Sequence, residues 1–299
     1  MGLIRLMRSA GIGYRVFNGF NIAFLVALSL LCILPLVHVL ALSFSSSSAA
    51  GAGMVKLWPV GFTTSSYEFI LKKPEFLNSI SVTVQRVLLG TAINMVLTLL
   101  VAYPLSKETQ AFRLRTVYAW IFVFTILFNG GLIPWYMTIK WVGLLDSMWA
   151  LILPGAVPIF NVILLLNFFR GLPKEMEEAA SIDGASHWVI LFKIYTPLSL
   201  PALATIGLFA MVNHWNSWFD GLILMQSQDK YPLSTYLQSM LAHIDLTSMS
   251  GRDMKDLAEV SDRTAKAAQI FLGALPILLV YPFLQKFFVK GIVLGSVKS

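Results

Sequence analysis

The titratable and nucleophilic residues of this chain do not form a catalytic set. The four histidines, His38, His187, His214 and His243, have no metal-ligand spacing with one another or with Cys32. Serine, histidine and aspartate all occur, but no nucleophile elbow frames them. No GxxxxGK[ST] segment offers a phosphate loop. Two other groups of residues can do chemistry of a different kind. The first is polar and set in apolar surroundings: Asn213, His214, Trp215, Asn216, Trp218 and Asp220 in one segment, Asn78, Gln85, Arg86 and Asn94 in another. Amides and aromatic faces suit sugars, whose hydroxyls need hydrogen-bond partners and whose C–H faces stack on rings. The second group is the acidic run Glu175, Glu177, Glu178 and Asp183, which holds 4 of the chain's 15 acids.

The elements that carry these residues must lie in lipid. Of 299 residues, 57% are apolar and only 12% are Asp, Glu, Lys or Arg, with mean hydropathy +0.74. A soluble domain carries about 25% charged residues, so this chain cannot cover a fully water-facing surface. A spanning helix needs about 20 mainly apolar residues. Six stretches qualify: residues 20–44, 78–103, 117–139, 149–169, 198–225 and 267–289. The first is too long for a signal peptide's apolar region and is expected to be a retained helix. Internal prolines such as Pro154 and Pro158 are compatible with spans, because neighbouring groups satisfy the freed carbonyls.

Charge sets the orientation. With the N-terminus inside, 12 of the 22 basic residues face the cytoplasm, among them Arg5, Arg8, Arg15, Lys107, Arg170, Lys193, Lys286, Lys290 and Lys298. Only 5 of the 15 acids join them, so the net +7 lies wholly on the inner face. It is an orientation signal, and the basic residues flank spans without the aromatic interleaving that nucleic acid would require. The expected division is a cytoplasmic segment 1–19, a membrane domain 20–290 and a cytoplasmic tail 291–299. Outer loops fall at 45–77 and 226–264, the first beginning with small, flexible residues, the second containing an amphipathic piece near Thr235 to His243. Either loop can dock a soluble partner or simply pack on its own helices.

The inner loop 171–201 is the most specific segment. Pro173 suits a first helical position, and Glu175, Glu177 and Glu178 set negative charge against that helix's N-terminus. Gly184 can end the helix in the left-handed conformation. Ser186 can cap a second short helix, which Pro197 is expected to stop. The small residues Ala179, Ala180 and Ala185 are expected to be exposed, allowing close approach of another surface.

Glu178-Ala179-Ala180, then Gly184, then Ile194 with Pro197, resembles the EAA loop of binding-protein-dependent ABC importer permeases, although Thr196 stands where that family expects leucine. Trp215-Asn216 and the run Asn129-Gly130-Gly131-Leu-Ile-Pro134 resemble the carbohydrate-uptake branch. The likeness covers about residues 15–299 and is closest to permeases for oligosaccharides and polysaccharide fragments, including uronate polymers such as alginate. It implies an all-α integral membrane protein with the six transmembrane helices of the type I, maltose-permease-like fold and a cytoplasmic coupling helix. It implies two cytoplasmic ATPase subunits carrying ATP and magnesium, with no cofactor in this chain. It also implies a second, non-identical permease and an extracytoplasmic solute-binding protein. Glu177, Glu178, Ala179, Ala180, Asp183 and Gly184 are then the ATPase-coupling residues.

The substrate pathway is expected at Asn213, Trp215, Asn216, Trp218, Asp220, Gln85 and Arg86. Asn213 and Asn216 share a helical face, with Asp220 four residues beyond. Gln85 and Arg86 cannot share one, so at most one points straight into a channel. Arg86 is either a counter-charge for a uronate or a side chain that snorkels to the interface. The asparagines either line the path or join helices. An ion-coupled secondary transporter is the rival reading, with Asp220 its nearest carboxylate; an intramembrane enzyme lacks a paired acidic or metal-ligating set.

Overall fold

A computed structural model describes residues 12–242, 263–276, 278 and 279, and no strand occurs among them. Arg5, Arg8, His243, Lys286, Lys290, Lys298, the tail 291–299, most of loop 226–264 and the second part of the sixth apolar stretch lie outside the described residues. The described chain divides into two compact units, residues 12–72 with 263–272, and residues 73–242 with 273–276, 278 and 279.

The first unit contains helix α1, Ile12–Ser43. Its 32 residues reach about 48 Å at 1.5 Å per residue, enough to cross a bilayer with a turn to spare at each side. The loop that follows is not loose. Ser46 caps α2, Ser47–Gly51, and Ala41, Ala49 and Val55 pack together out of solvent. Ser43 Oγ meets the Tyr67 hydroxyl of α3, Ser65–Leu71, at 2.7 Å. Phe44 stacks on Phe62 with ring centres 5.4 Å apart. The stretch expected to be flexible is therefore folded, because its alanines are small enough to be buried against the end of α1.

The second unit is organised by α4, Pro74–Ser106, which starts with proline at its first position and Glu75 in its first turn. Ser79, Thr83, Arg86, Gly90, Asn94 and Thr98 recur every three or four residues and are all buried. That spacing places them on one face. The face is polar where a soluble helix would carry leucines. Below it, Leu99, Ala102 and Tyr103 join Val162, Leu165, Phe169, Ile190, Tyr195, Leu203 and Ile206 in the main apolar core.

Three of the expected spans are not single helices. The third is α5, Arg115–Leu127, and α6, Leu132–Trp141, set at 115°. Gly131 makes the corner at φ 91°, and the Asn129 side chain accepts its N–H at 2.9 Å. The fourth is α7, Met148–Gly155, and α8, Ile159–Arg170, bent by 45° around Pro154 and Pro158. After α9, Lys174–Ile182, comes α10, His187–Leu198, which turns by 84° into α11, Leu200–Asn216. The fifth span thus begins beyond Ser199 and stops at Asn216; α12, Phe219–Leu224, follows a break. Helix α13, Leu233–Ala242, matches the amphipathic piece expected there. The last described helix, α14, covers residues 263–276.

The helix that holds Pro197 ends one residue later, at Leu198, close to the stop expected there. Residues Ile190–Tyr195 widen into a π turn, which accommodates a residue that lacks an N–H. Both the N–H and the hydroxyl of Thr196 reach the Leu191 carbonyl, the hydroxyl at 2.8 Å. The threonine that departs from the EAA pattern thus secures this wide turn.

A β-carbon on Gly90 would lie 2.4 Å from Nε2 of His214, whose ring is held 3.0 Å from Asn94 Oδ1. Gly90→Ala should lower stability by about 1–3 kcal/mol through overpacking, read as a lower melting temperature in detergent. Gly19→Ala is the control, since nothing lies within 4 Å of that position. Equal melting shifts for the two variants would overturn the close approach at Gly90.

Candidate functional site

The polar face of α4 meets the places where other helices break. Arg86 is 2% exposed. Its Nη1 donates to the Ser217 carbonyl at 3.2 Å and to Asp220 Oδ1 at 3.2 Å, and its Nη2 to the Leu151 carbonyl at 3.4 Å and to Asp220 Oδ2. Two turns along, Asn94 donates to the carbonyls of Gly155 and Ala156 at 3.0 and 2.9 Å. Thr83 accepts the N–H of Leu233 at 2.7 Å, fixing the start of α13. Leu151, Gly155 and Ala156 flank the proline-broken end of α7, and Ser217 follows α11. An unpaired backbone carbonyl in hydrocarbon costs several kcal/mol, and this seam meets four of them.

Asp220 does not continue the face of Asn213 and Asn216, because the helix ends between them. Asp220 turns back across the break instead, accepting the Ser217 hydroxyl and the Gly221 N–H, both at 2.9 Å. A cavity of about 230 Å³ opens beside it, lined by Arg86, Trp135, Asn213, His214, Ser217 and Asp220 among others. The structure therefore brings Arg86, Asp220 and Asn213 together. It leaves the other expected pathway residues off this cavity. Gln85 is exposed and donates to Ser81; Asn216 and Trp218 are exposed; the Trp215 indole donates to the Gly273 carbonyl at 3.1 Å. Arg86 does not snorkel. Asn94 and His214 are more central than their place in the sequence suggested; for Asn94 the available signal was its coincidence with Arg86 and Gly90 on one face of α4, whereas His214 approaches that face from α11.

The second site is the acidic helix. Its end is a full Schellman turn: Ala185 N–H bonds to the Ala180 carbonyl at 2.9 Å and Gly184 N–H to the Ser181 carbonyl at 3.1 Å. Gly184 has φ 76° with open space around it, so glycine is required there by the backbone alone. Glu175, Glu178, Ala179 and Ile182 form an exposed stripe, with Ile182 86% exposed. Asp183 is exposed at the turn. Ala180 and Ala185, expected on the surface, are half-buried against the apolar core, since their side of the helix faces it.

Glu177 also faces inward. Its Oε1 accepts from Lys107 Nζ at 2.5 Å and its Oε2 from the Tyr195 hydroxyl at 2.5 Å. Burial alone would push this carboxyl up; the Lys107 ammonium and the two hydrogen bonds outweigh it and hold it below the usual carboxylate range. Burial, and then the adjacent Glu177 charge, push the Tyr195 phenol well above its ordinary value. An exposed pair, Lys174 with Glu108, lies alongside. At the opposite end of α4, Asn78 donates to the Asp229 carbonyl and Lys230 pairs with Asp146. Lys107, Glu108, Lys174 and Glu177 thus gather at one end of α4, and Asp146, Asp229 and Lys230 at the other.

A helical chain that spans lipid, carries a polar seam through its broken helices and presents an acidic helix at one end is a transport permease, and it has the type I ABC-importer fold. More particularly, the chain belongs to the family described as binding-protein-dependent transport system inner membrane component, matched over residues 90–293. It is 39% identical to Protein LplC of Bacillus subtilis (strain 168), over 100% of both chains. It is 40% identical to the polygalacturonan/rhamnogalacturonan transport system permease protein YtcP of the same organism, over 95% of this chain and 99% of that one. Among solved structures it is similar to a chain of a bacterial ABC transporter involved in the import of the acidic polysaccharide alginate. The TM-score is 0.86 at 33% identity, covering 93% of this chain and 99% of that one.

The seam predicts strong coupling between two residues 134 positions apart. Arg86→Met strands Asp220 and should cost about 3–5 kcal/mol. Arg86→Met combined with Asp220→Leu should lose clearly less than the two single losses added. Thermal melting of the four purified forms tests this, and additive losses would count against the pair.

Proposed function

We propose that this chain is one of two membrane subunits of an ATP-driven importer for acidic oligosaccharides, received from an extracytoplasmic binding protein. The substrate class rests on one observation: nearly the whole chain resembles permeases for alginate and for polygalacturonan/rhamnogalacturonan, and both substrates are built with uronate units. In this reading ATP and magnesium are bound by two cytoplasmic ATPase subunits, and a second, non-identical permease completes the pathway. The membrane is the bacterial inner membrane, with segments 1–19, 171–201 and 291–299 in the cytoplasm and loops 45–77 and 226–264 outside.

The outward stripe of α9 supports the coupling role. Glu178 and Glu175 offer charge to a basic groove, Ala179 allows close approach, and Ile182 offers an apolar knob. Asp183 and Gly184 turn the chain away behind them. The exposed Asn213 and Asn216 of α11 line the translocation path, next to a cavity whose two full charges neutralise each other. Hydroxyl recognition by amides suits that setting.

Proteoliposomes holding both permeases, the ATPases and the binding protein should take up labelled galacturonate oligomers only with ATP, and without effect of a protonophore. Uptake that continues without the ATPase subunits would instead favour an ion-coupled transporter. Glu178→Lys should reduce ATPase co-purification and abolish uptake while membrane insertion persists. In a Cys32→Ser background, Asn213→Cys and Asn216→Cys should react with water-soluble thiol reagents at rates that change with nucleotide. Protection in every state would make these asparagines helix contacts.

A further inference from the structure

We propose that Lys107 and Glu177 latch the acidic helix α9 to the end of α4, so that a push on α9 reaches α4 directly; the proposal rests on α9 being the ATPase-docking helix. Along the chain α9 is joined to its neighbours by weak links. Gly171 and Pro173 precede it and the left-handed Gly184 follows it. A short helix between two such joints can pivot, and force applied to it would dissipate unless a lateral tie exists.

Beside the packing of Ala180 and Ala185 on the apolar core, the structure contains a polar tie. The Lys107 ammonium bonds to Glu177 at 2.5 Å and lies over two rings, 3.9 Å from the centre of Tyr103 and 4.4 Å from that of Tyr195. Tyr195 donates to the other Glu177 oxygen, and the Tyr103 hydroxyl lies 3.2 Å from His187 Nδ1. Residues of α4, α9 and α10 thereby close a ring around one cation. The Lys107 and Glu177 side chains are 10% and 23% exposed, against 68% and 60% for the Lys174–Glu108 pair alongside. Exposed pairs are weak and easily exchanged; this one is shielded and held by aromatic faces, which favour a cation. Its far end is useful as well. The same α4 carries Arg86 and Asn94, so displacement of Lys107 along the helix axis moves the groups that hold the breaks in the fourth and fifth spans.

Glu177 and Glu178 then have opposite duties. Glu178 faces a partner, and Glu177 is consumed by its own chain. Lys107 and Glu177 are positioning residues.

The full complex in proteoliposomes tests this with Glu177→Gln, Lys107→Met and Lys107→Arg. Glu177→Gln and Lys107→Met should keep the ATPase subunits bound at wild-type stoichiometry while uptake per ATP hydrolysed falls at least tenfold. Lys107→Arg should retain most of it, and Lys107→Glu with Glu177→Lys should recover part. Wild-type uptake per ATP in Glu177→Gln and Lys107→Met would overturn the latch. So would loss of bound ATPase from Glu177→Gln, which would put that carboxylate on the docking surface. Failure of the unsubstituted complex to couple ATP to uptake would instead remove the reading of α9 on which the latch depends.

Discussion

A broken helix leaves backbone carbonyls that its own turns do not bond, and the second unit is built around meeting them. Arg86 supplies donors to Ser217 and Leu151, and Asn94 to Gly155 and Ala156. Without those donors the breaks after α7 and α11 would be costly in hydrocarbon. With them, the chain can change direction twice near the cavity. The polar face of α4 is thus a structural requirement of the bends, and the bends in turn bring Asp220, Asn213 and His214 to one place. Gly90 completes the device by leaving room for the His214 ring between the two donors.

The same helix joins the two ends of the site. Its polar face organises the helix breaks around the cavity, and Tyr103 and Lys107 organise its last turn and the residue beyond. The acidic helix is stabilised on one face by these groups and by Ala180 against the core, which leaves its other face uncommitted. A free face on a well-held helix is what a docking surface needs, since partner binding then does not have to order the element first.

Much of this was legible in the residues. The spacing from Glu178 to Gly184 was informative because a left-handed turn admits glycine far more readily than other residues, and the glycine does occupy φ 76°. The intramembrane Arg86 was visible as an anomaly, but its partner lies 134 residues away, and no local pattern links them. The helix breaks were hidden for a different reason: glycine and proline in an apolar stretch are compatible with a kink, a bend or a continuous span, and only packing decides. Three glutamates close together likewise did not show which one turns inward. Lys107, a full loop and two spans earlier in the chain, makes that choice for Glu177. Pro197 marked the end of α10 to within one residue, whereas the π turn before it, secured by Thr196, leaves little trace in composition.

The pairing of Arg86 with Asp220 also governs how the chain meets the membrane voltage. A lone charge moving through the field changes energy by about 2.3 kcal/mol per 100 mV. Arginine and aspartate held together by two contacts travel as a dipole with no net charge. A displacement that carries the two together therefore moves no net charge through the field.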